Sequence, residues 1–294
     1  IMTSFNTVDG IPSTGNKWLM DDVLRKEWGF EGVVITDYAA IAELMAHGVA
    51  EDGKEAARLA MEAGVDIDMC TDCYANNLEA LIREGSIDET QLDQAVMRVL
   101  RLKNKLGLFE DPFRGADAVR EKEEILTPKH RGLAREAAIK SMVLLENKEE
   151  LLPLCREDFQ GEKKIALIGP FADNRDALGM WAIHGDKDAV VTVKQAFLEN
   201  IAPESLVCTE GCETMLAEDY TDLLAFYEQT GKAAWSTEKR KGEMERALAL
   251  AAEADVAVLA LGESELQGGE GGSRTKLTIP GDQLELLRRV RKCA

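Results

Sequence analysis

No apolar run in these 294 residues approaches the roughly 20 needed to cross a bilayer, so a membrane-spanning helix is excluded. The chain opens at Ile1-Met2-Thr3 without a charged segment and apolar core, so no secretory leader is visible, which is silent on what precedes Ile1. Basic residues are in short supply: 35 Lys and Arg face 54 Asp and Glu, a formal net charge of −19. That balance argues against nucleic acid or an anionic membrane as partner, and does not oppose a neutral ligand. Histidine is scarcer still. His47, His130 and His184 are scattered, and no His/carboxylate cluster has metal-ligand spacing, so no metal and no cofactor is expected. The six cysteines would form a zinc site only if Cys70-x-x-Cys73 joined Cys208-x-x-x-Cys212. Structural zinc pairs lie within about 20 residues of each other, and these stand far apart. They read as free thiols, which favours a reducing, cytoplasmic compartment. No solenoid repeat and no low-complexity tract is present.

What is present reads as alternating strands and helices. Residues 2–5 look like a short strand ending in Asn6. Asn16 then caps an amphipathic helix with Met20, Val23, Leu24 and Trp28 on one face, stopped by Gly29. A strand at 33–36 precedes a helix at about 54–63, closed by Gly64. A third strand at 65–69 carries Asp66 and Asp68, and a helix follows near 77–83. Ser86-x-x-Glu89 predicts a capping box for the next helix, striped by Leu92, Ala95, Val96, Val99 and Leu106. This alternation predicts a parallel α/β sheet over residues 1–108.

Residues 109–130, with Pro112, Gly115 and a charged run at 120–124, read as a linker, within which Thr127-Pro128 caps and opens a helix. Residues 131–294 read as a second α/β domain. Its strands are expected at 142–145, 165–169, 206–208 and 256–261. Its helices are expected near 194–200, 219–229 and 243–254, with a last one opened by Pro280.

Two stretches carry candidate chemistry. Gly32-Val33-Val34-Ile35-Thr36-Asp37-Tyr38 is a doubly buried strand closed by a carboxylate and an aromatic, leading through Ala39-Ala40 into a helix. A carboxylate at the C-terminal end of a parallel strand occupies the rim on which (β/α) barrels build their sites. The alternative is an Asp that only caps the next helix. The second stretch follows the strand at 256–261. It is a polar loop, 262–274, with five glycines and the carboxylates Glu263, Glu265 and Glu270. Such glycine density frees the backbone to approach a ligand. A phosphate cradle is disfavoured, because phosphate loops are short and three carboxylates would repel the anion. A loop presenting Glu270 to a neutral substrate, with Arg274 four residues on, fits better.

These two stretches resemble the family 3 glycoside hydrolases, and within them the multidomain bacterial β-glucosidases. The resemblance rests on Gly32–Ile41 with Asp37, and on Glu270-Gly271-Gly272-Ser273-Arg274-Thr275 followed by Leu277-Thr278-Ile279-Pro280. It extends to Lys163–Asn174 continuing through Leu178-Gly179-Met180-Trp181, and to Leu100–Phe109. It covers essentially the whole chain, in the family's order. It implies an α/β fold in which residues 1–108 are the last three units of a (β/α)8 TIM-like barrel, and 131–294 an α/β sandwich domain, both incomplete. Three units cannot close a barrel, so the first five are expected from the same or another chain, and a homo-oligomer stays open. By itself the 294-residue piece is expected to be inactive.

The resemblance also implies roles. Asp37 aligns with the nucleophile and Glu270 with the acid/base of a retaining, exo-acting reaction on a small β-glucoside or oligosaccharide. Glu263 and Glu265 compete for the acid/base role or are solvated charges. Arg274 anchors the loop or touches substrate. Tyr38 stands where many members have Trp, to stack on a sugar or simply to pack. Trp181 stacks on the aglycone side or belongs to a core. Phe5 lines the pocket or packs. A β-xylosidase, a β-glucan exohydrolase and an inactive carbohydrate-interaction fragment remain the alternatives.

Overall fold

The chain divides into two units, Ile1–Met142 and Val143–Ala294. A computed structural model describes residues 1–179, 181–216, 234–268 and 276–294, and at Leu266 the backbone only. The helix expected at 219–229 lies outside the described residues.

In the first unit, three short extended segments run parallel, bridged at Met2–Ile35 and Ile35–Ile67. Ile35 N donates to Ile1 O at 2.9 Å and Thr3 N to Ile35 O at 3.0 Å; Thr36 N donates to Ile67 O at 3.0 Å. A helix of π type, Trp18–Glu27, follows the first segment, and Asn16 Oδ1 accepts from Leu19 N at its start. Helices α1 (Ala40–Ala46) and α2 (Gly53–Glu62) follow the second segment; α3 (Cys73–Arg83) and α4 (Glu89–Lys105) follow the third. Val34, Ile41, Leu44 and Val65 are fully buried, and side chains of this size contribute roughly 1.5–3 kcal/mol each. The small stripe Ala56, Ala57, Ala60 lets α2 approach them closely. The unit ends at Met142, one residue past helix α6 (Pro128–Ser141); α6 is preceded by α5 (Ala118–Glu124) and capped as expected by Thr127, whose hydroxyl accepts from His130 N.

Three local expectations shift. Only the start of 2–5 joins the sheet. The chain then forms an antiparallel hairpin, β1 (Thr7–Val8) with β2 (Ile11–Pro12), because Asp9 and Gly10 take φ of 56° and 80° in a two-residue turn. The box at α4 is built by Asp88 and Gln91 rather than Ser86 and Glu89, since Ile87 is drawn into the core and delays the helix start. No strand forms at 142–145. Leu145 is 92% exposed, and among the described residues no strand lies alongside this doubly apolar run.

The second unit holds a parallel sheet of order β4 (Leu206–Thr209), β3 (Ile165–Ile168), β5 (Val256–Leu259). All four residues of central β3 are buried. Ala166 and Ile168 face helices Thr237–Glu253 and Gln283–Cys293 through Ala247, Ala251, Leu286 and Val290. Ile165 packs oppositely, with Phe159, Ile201 and Phe197, the last on α7 (Val193–Leu198). The sheet therefore has a helix layer on either side, and the strands' carboxyl ends release three loops.

Candidate active site

Local geometry at the carboxyl end of the middle segment of unit one singles out Asp37. Thr36 is fully buried and its hydroxyl accepts from Met69 N at 2.8 Å, locking the position before it. Asp37 itself is half-buried. Its Oδ1 accepts from the Tyr38 N–H at 2.7 Å, and among the described residues nothing donates to Oδ2. The chain then turns through Ala39 at φ 58°, whose N–H donates to Met69 O at 2.9 Å, and α1 begins. A left-handed alanine costs about 1–2 kcal/mol. Cys70 and Asp72, in the loop after the neighbouring strand, share this conformation at φ 65° and 56°. Strained backbone concentrated on two adjacent strand-end loops is typical of functional rims. Tyr38 is 65% exposed, so its ring is not committed to the core of this unit, whereas Phe5 is half-buried.

The other carboxylates on these segments are spent. Asp68 takes the Thr71 hydroxyl on both oxygens, at 2.5 and 2.6 Å, and accepts from Tyr74 N. Asp66 is buried on the third segment and accepts from Val34 N at 2.8 Å. It also pairs with Arg25 at 2.9 Å and with Arg98 at 2.7 Å. Asp66 joins two helices to the sheet. Replacing it by alanine leaves two partly buried guanidinium groups without their anion and should cost about 3–5 kcal/mol. Urea unfolding of the purified variant measures this, and a loss below about 1 kcal/mol would show the network to be dispensable.

In the second unit, Trp181 lies in the segment leaving β3 and is 62% exposed, not part of its unit's core. Gly169, just past β3, sits at φ 128°, and a Cβ there would stand 2.3 Å from Ala260 O. Only glycine permits this approach of the β3 and β5 exits. Chain order and spatial order reverse at β3, and ligands bind beyond the carboxyl ends of strands at such a switch point. Glu270 and Arg274 follow β5 in sequence and lie outside the described residues. Of the two competing glutamates, Glu265 is 15% exposed and faces Lys187 Nζ at 3.7 Å, while Lys187 donates to Asp176 at 2.8 Å. It is thus an anchor, not a solvated charge. The hydrogen bond to Asp176 raises the Lys187 pKa. Gln283, which nothing in its sequence context marks, is a buried amide at the far end of the same loop. The six cysteines are unpaired, and among the described residues no cluster of three or more His, Cys, Asp or Glu could hold a metal ion. Burial pushes the Cys212 thiol up to about 12.

Comparison with known proteins places this arrangement among the glycosyl hydrolases. The family model for the glycosyl hydrolase family 3 N terminal domain matches residues 1–102, and that for the family 3 C-terminal domain matches residues 142–294. A periplasmic beta-glucosidase of Salmonella typhimurium is 36% identical over 98% of this chain, and a beta-xylosidase of Formosa agariphila 30% identical over 99%. A crystal structure of a beta-glucosidase from Listeria innocua in complex with glucose is 43% identical over the whole chain, with a TM-score of 0.78. The chain spans 37% of the Salmonella relative's length and 36% of the Listeria chain's. The chain belongs to glycoside hydrolase family 3.

Proposed function

We propose that this chain forms part of a retaining, exo-acting β-glucosidase that releases glucose from the non-reducing end of small β-glucosides. Residues 1–108 supply the last three units of a (β/α)8 barrel, 109–130 a linker, and 131–294 an α/β sandwich domain. The remainder of the barrel comes from polypeptide outside these 294 residues. Asp37 attacks the anomeric carbon and forms a glycosyl-enzyme. Glu270 first protonates the leaving oxygen and then activates water, a division of labour that requires two carboxyl groups about 5–5.5 Å apart. Tyr38 and Trp181 offer exposed aromatic faces to the sugar and the aglycone, Phe5 lines the pocket, and Arg274 anchors the Glu270 loop. The reaction needs no metal or cofactor.

The observation that carries this reading is the state of Asp37. Of the three acidic side chains on the 33–37 and 65–69 segments, it alone keeps an oxygen to which no described residue donates. A nucleophile must be ionised, aimed and unoccupied, and strand ends position such groups more precisely than loops. Glucose is preferred to xylose because the Salmonella and Listeria beta-glucosidases, 36% and 43% identical, are more similar to this chain than the Formosa beta-xylosidase at 30%. The named ligands of solved Listeria neighbours, glucose and laminaribiose, are of the proposed class.

The direct test is trapping. Full-length enzyme treated with a 2-deoxy-2-fluoro-β-glucoside bearing a good leaving group should accumulate a glycosyl-enzyme, and peptide mass spectrometry should place the label on Asp37. A label on any other carboxylate would remove Asp37 from the role.

A further inference from the structure

The stretch from Gly262 to Gln283 leaves β5 and returns to the start of helix Gln283–Cys293, with Glu270 in between. Its two ends meet through one side chain. Gln283 Oε1 accepts from Gly262 N at 2.9 Å, and Gln283 Nε2 donates to Gly262 O at 2.8 Å and to Thr214 O at 2.9 Å. The carboxamide is completely buried. It pairs with both backbone polar groups of one residue, Gly262, much as a neighbouring strand would, so the base of a long loop is closed without a strand there. Its third bond ties that base to the segment after β4.

Two further contacts hold the same end. Ser264 Oγ lies 3.4 Å from Met215 Sδ, and Glu265 faces Lys187. Gly281 packs on the backbone of the same post-β4 segment: a Cβ there would lie 3.4 Å from Met215 Cα. A loop anchored only by its apolar core contacts would not need a satisfied amide at this spot; leucine would fill the volume. The amide's specific yield is a defined spatial relation between Gly262, Thr214 and the helix that follows.

We propose that Gln283 is a positioning residue for catalysis: by closing the base of the 262–283 loop it sets where Glu270 stands during proton transfer. This rests on the reading of Glu270 as acid/base. The role differs from general stability in its signature. A displaced acid/base hurts substrates whose leaving group needs a proton and spares those whose leaving group does not.

The test uses full-length enzyme in three forms, Gln283→Met, Gln283→Glu and, as control, Glu270→Ala. Gln283→Met keeps the volume and removes all three hydrogen bonds. Gln283→Glu keeps the acceptor for Gly262 N and, when ionised, loses both donors. For each, kcat/KM is compared between an alkyl β-glucoside and 2,4-dinitrophenyl β-glucoside, with and without azide. Both Gln283 variants should lose about 10- to 100-fold on the alkyl glucoside and less than about threefold on the dinitrophenyl glucoside. Azide should raise kcat on the activated substrate. Gln283→Glu should recover part of its loss as the pH is lowered, since a protonated carboxyl regains one donor. Equal losses on both substrates, or failure of both variants to fold, would make Gln283 a core residue only and overturn the proposal. If Glu270→Ala itself shows no leaving-group dependence, the acid/base assignment is what has failed. If it does and the Gln283 variants do not, the fault lies with the positioning role alone.

Discussion

In full-length enzyme, Asp37→Ala is expected to lower turnover of aryl β-glucosides by about four orders of magnitude or more, some 5–6 kcal/mol of transition-state stabilisation. The size follows from the role. Without a nucleophile no glycosyl-enzyme forms, and protonation of the leaving group cannot replace the lost covalent step. The fold should survive, because Asp37 contributes one hydrogen bond to the next residue's N–H and is half-buried, so the melting temperature should move little. Azide gives the decisive readout. Entering from the face that Asp37 vacates, it should yield the α-glucosyl azide, with inversion. Residual activity within about tenfold of the parent, or a β-azide product, would move the nucleophile elsewhere, with Asp68 the next carboxylate on that rim.

Glu270→Ala should behave oppositely in both respects. The loss in kcat/KM should reach about 10²- to 10⁴-fold on alkyl glucosides and nearly vanish on dinitrophenyl glucoside, because general acid catalysis matters in proportion to the leaving group's basicity. Turnover of the activated substrate should then be limited by hydrolysis of the glycosyl-enzyme, for which no base remains. Azide needs no base and attacks from the face opposite Asp37, so rescue here should give the β-glucosyl azide. Paired α and β azide products from the two variants would define the faces of one sugar ring. Uniform losses across leaving groups, with no azide product, would return the acid/base role to Glu263 or to another residue. Glu265 is the poorer heir, since it faces Lys187 within its own unit.

Much of this molecule can be read from local pattern. The run Val33-Val34-Ile35-Thr36 announces an interior strand, and the structure pairs it on both sides, with Met2 and with Ile67. Thr127-Pro128 opens a helix because a hydroxyl can take an orphan N–H and proline has none to lose. The 165–169 and 256–261 strands fall within a residue or two of β3 and β5. Asp9-Gly10 carries a hairpin signal as strong as these, because an Asp-Gly pair takes positive φ at both positions of a two-residue loop. At 142–145 the same apolar pattern misleads: a strand is a property of two partners, and no described strand lies beside this one.

The candidate site divides in the same way. Residue chemistry and sequence order alone determined that a carboxylate ends an interior strand at Asp37, and that glycines surround another at Glu270. They could not say which of Asp37, Asp66 and Asp68, the three acids on these parallel segments, is left unoccupied. For Asp66 the answer comes from partners distant in sequence: Arg25, 41 residues away, and Arg98, 32 residues away, occupy it. The Thr71 hydroxyl and Tyr74 N–H occupy another, and Asp37 keeps an oxygen to which no described residue donates. Gln283 is the same lesson in reverse, an unremarkable helix-opening residue until the fold brings Gly262 and Thr214 to its amide. Local sequence sets which groups exist and which backbone they ride on. Whether a polar group is consumed by structure or left for chemistry depends on what long-range packing places within hydrogen-bonding reach, and tertiary structure alone decides that.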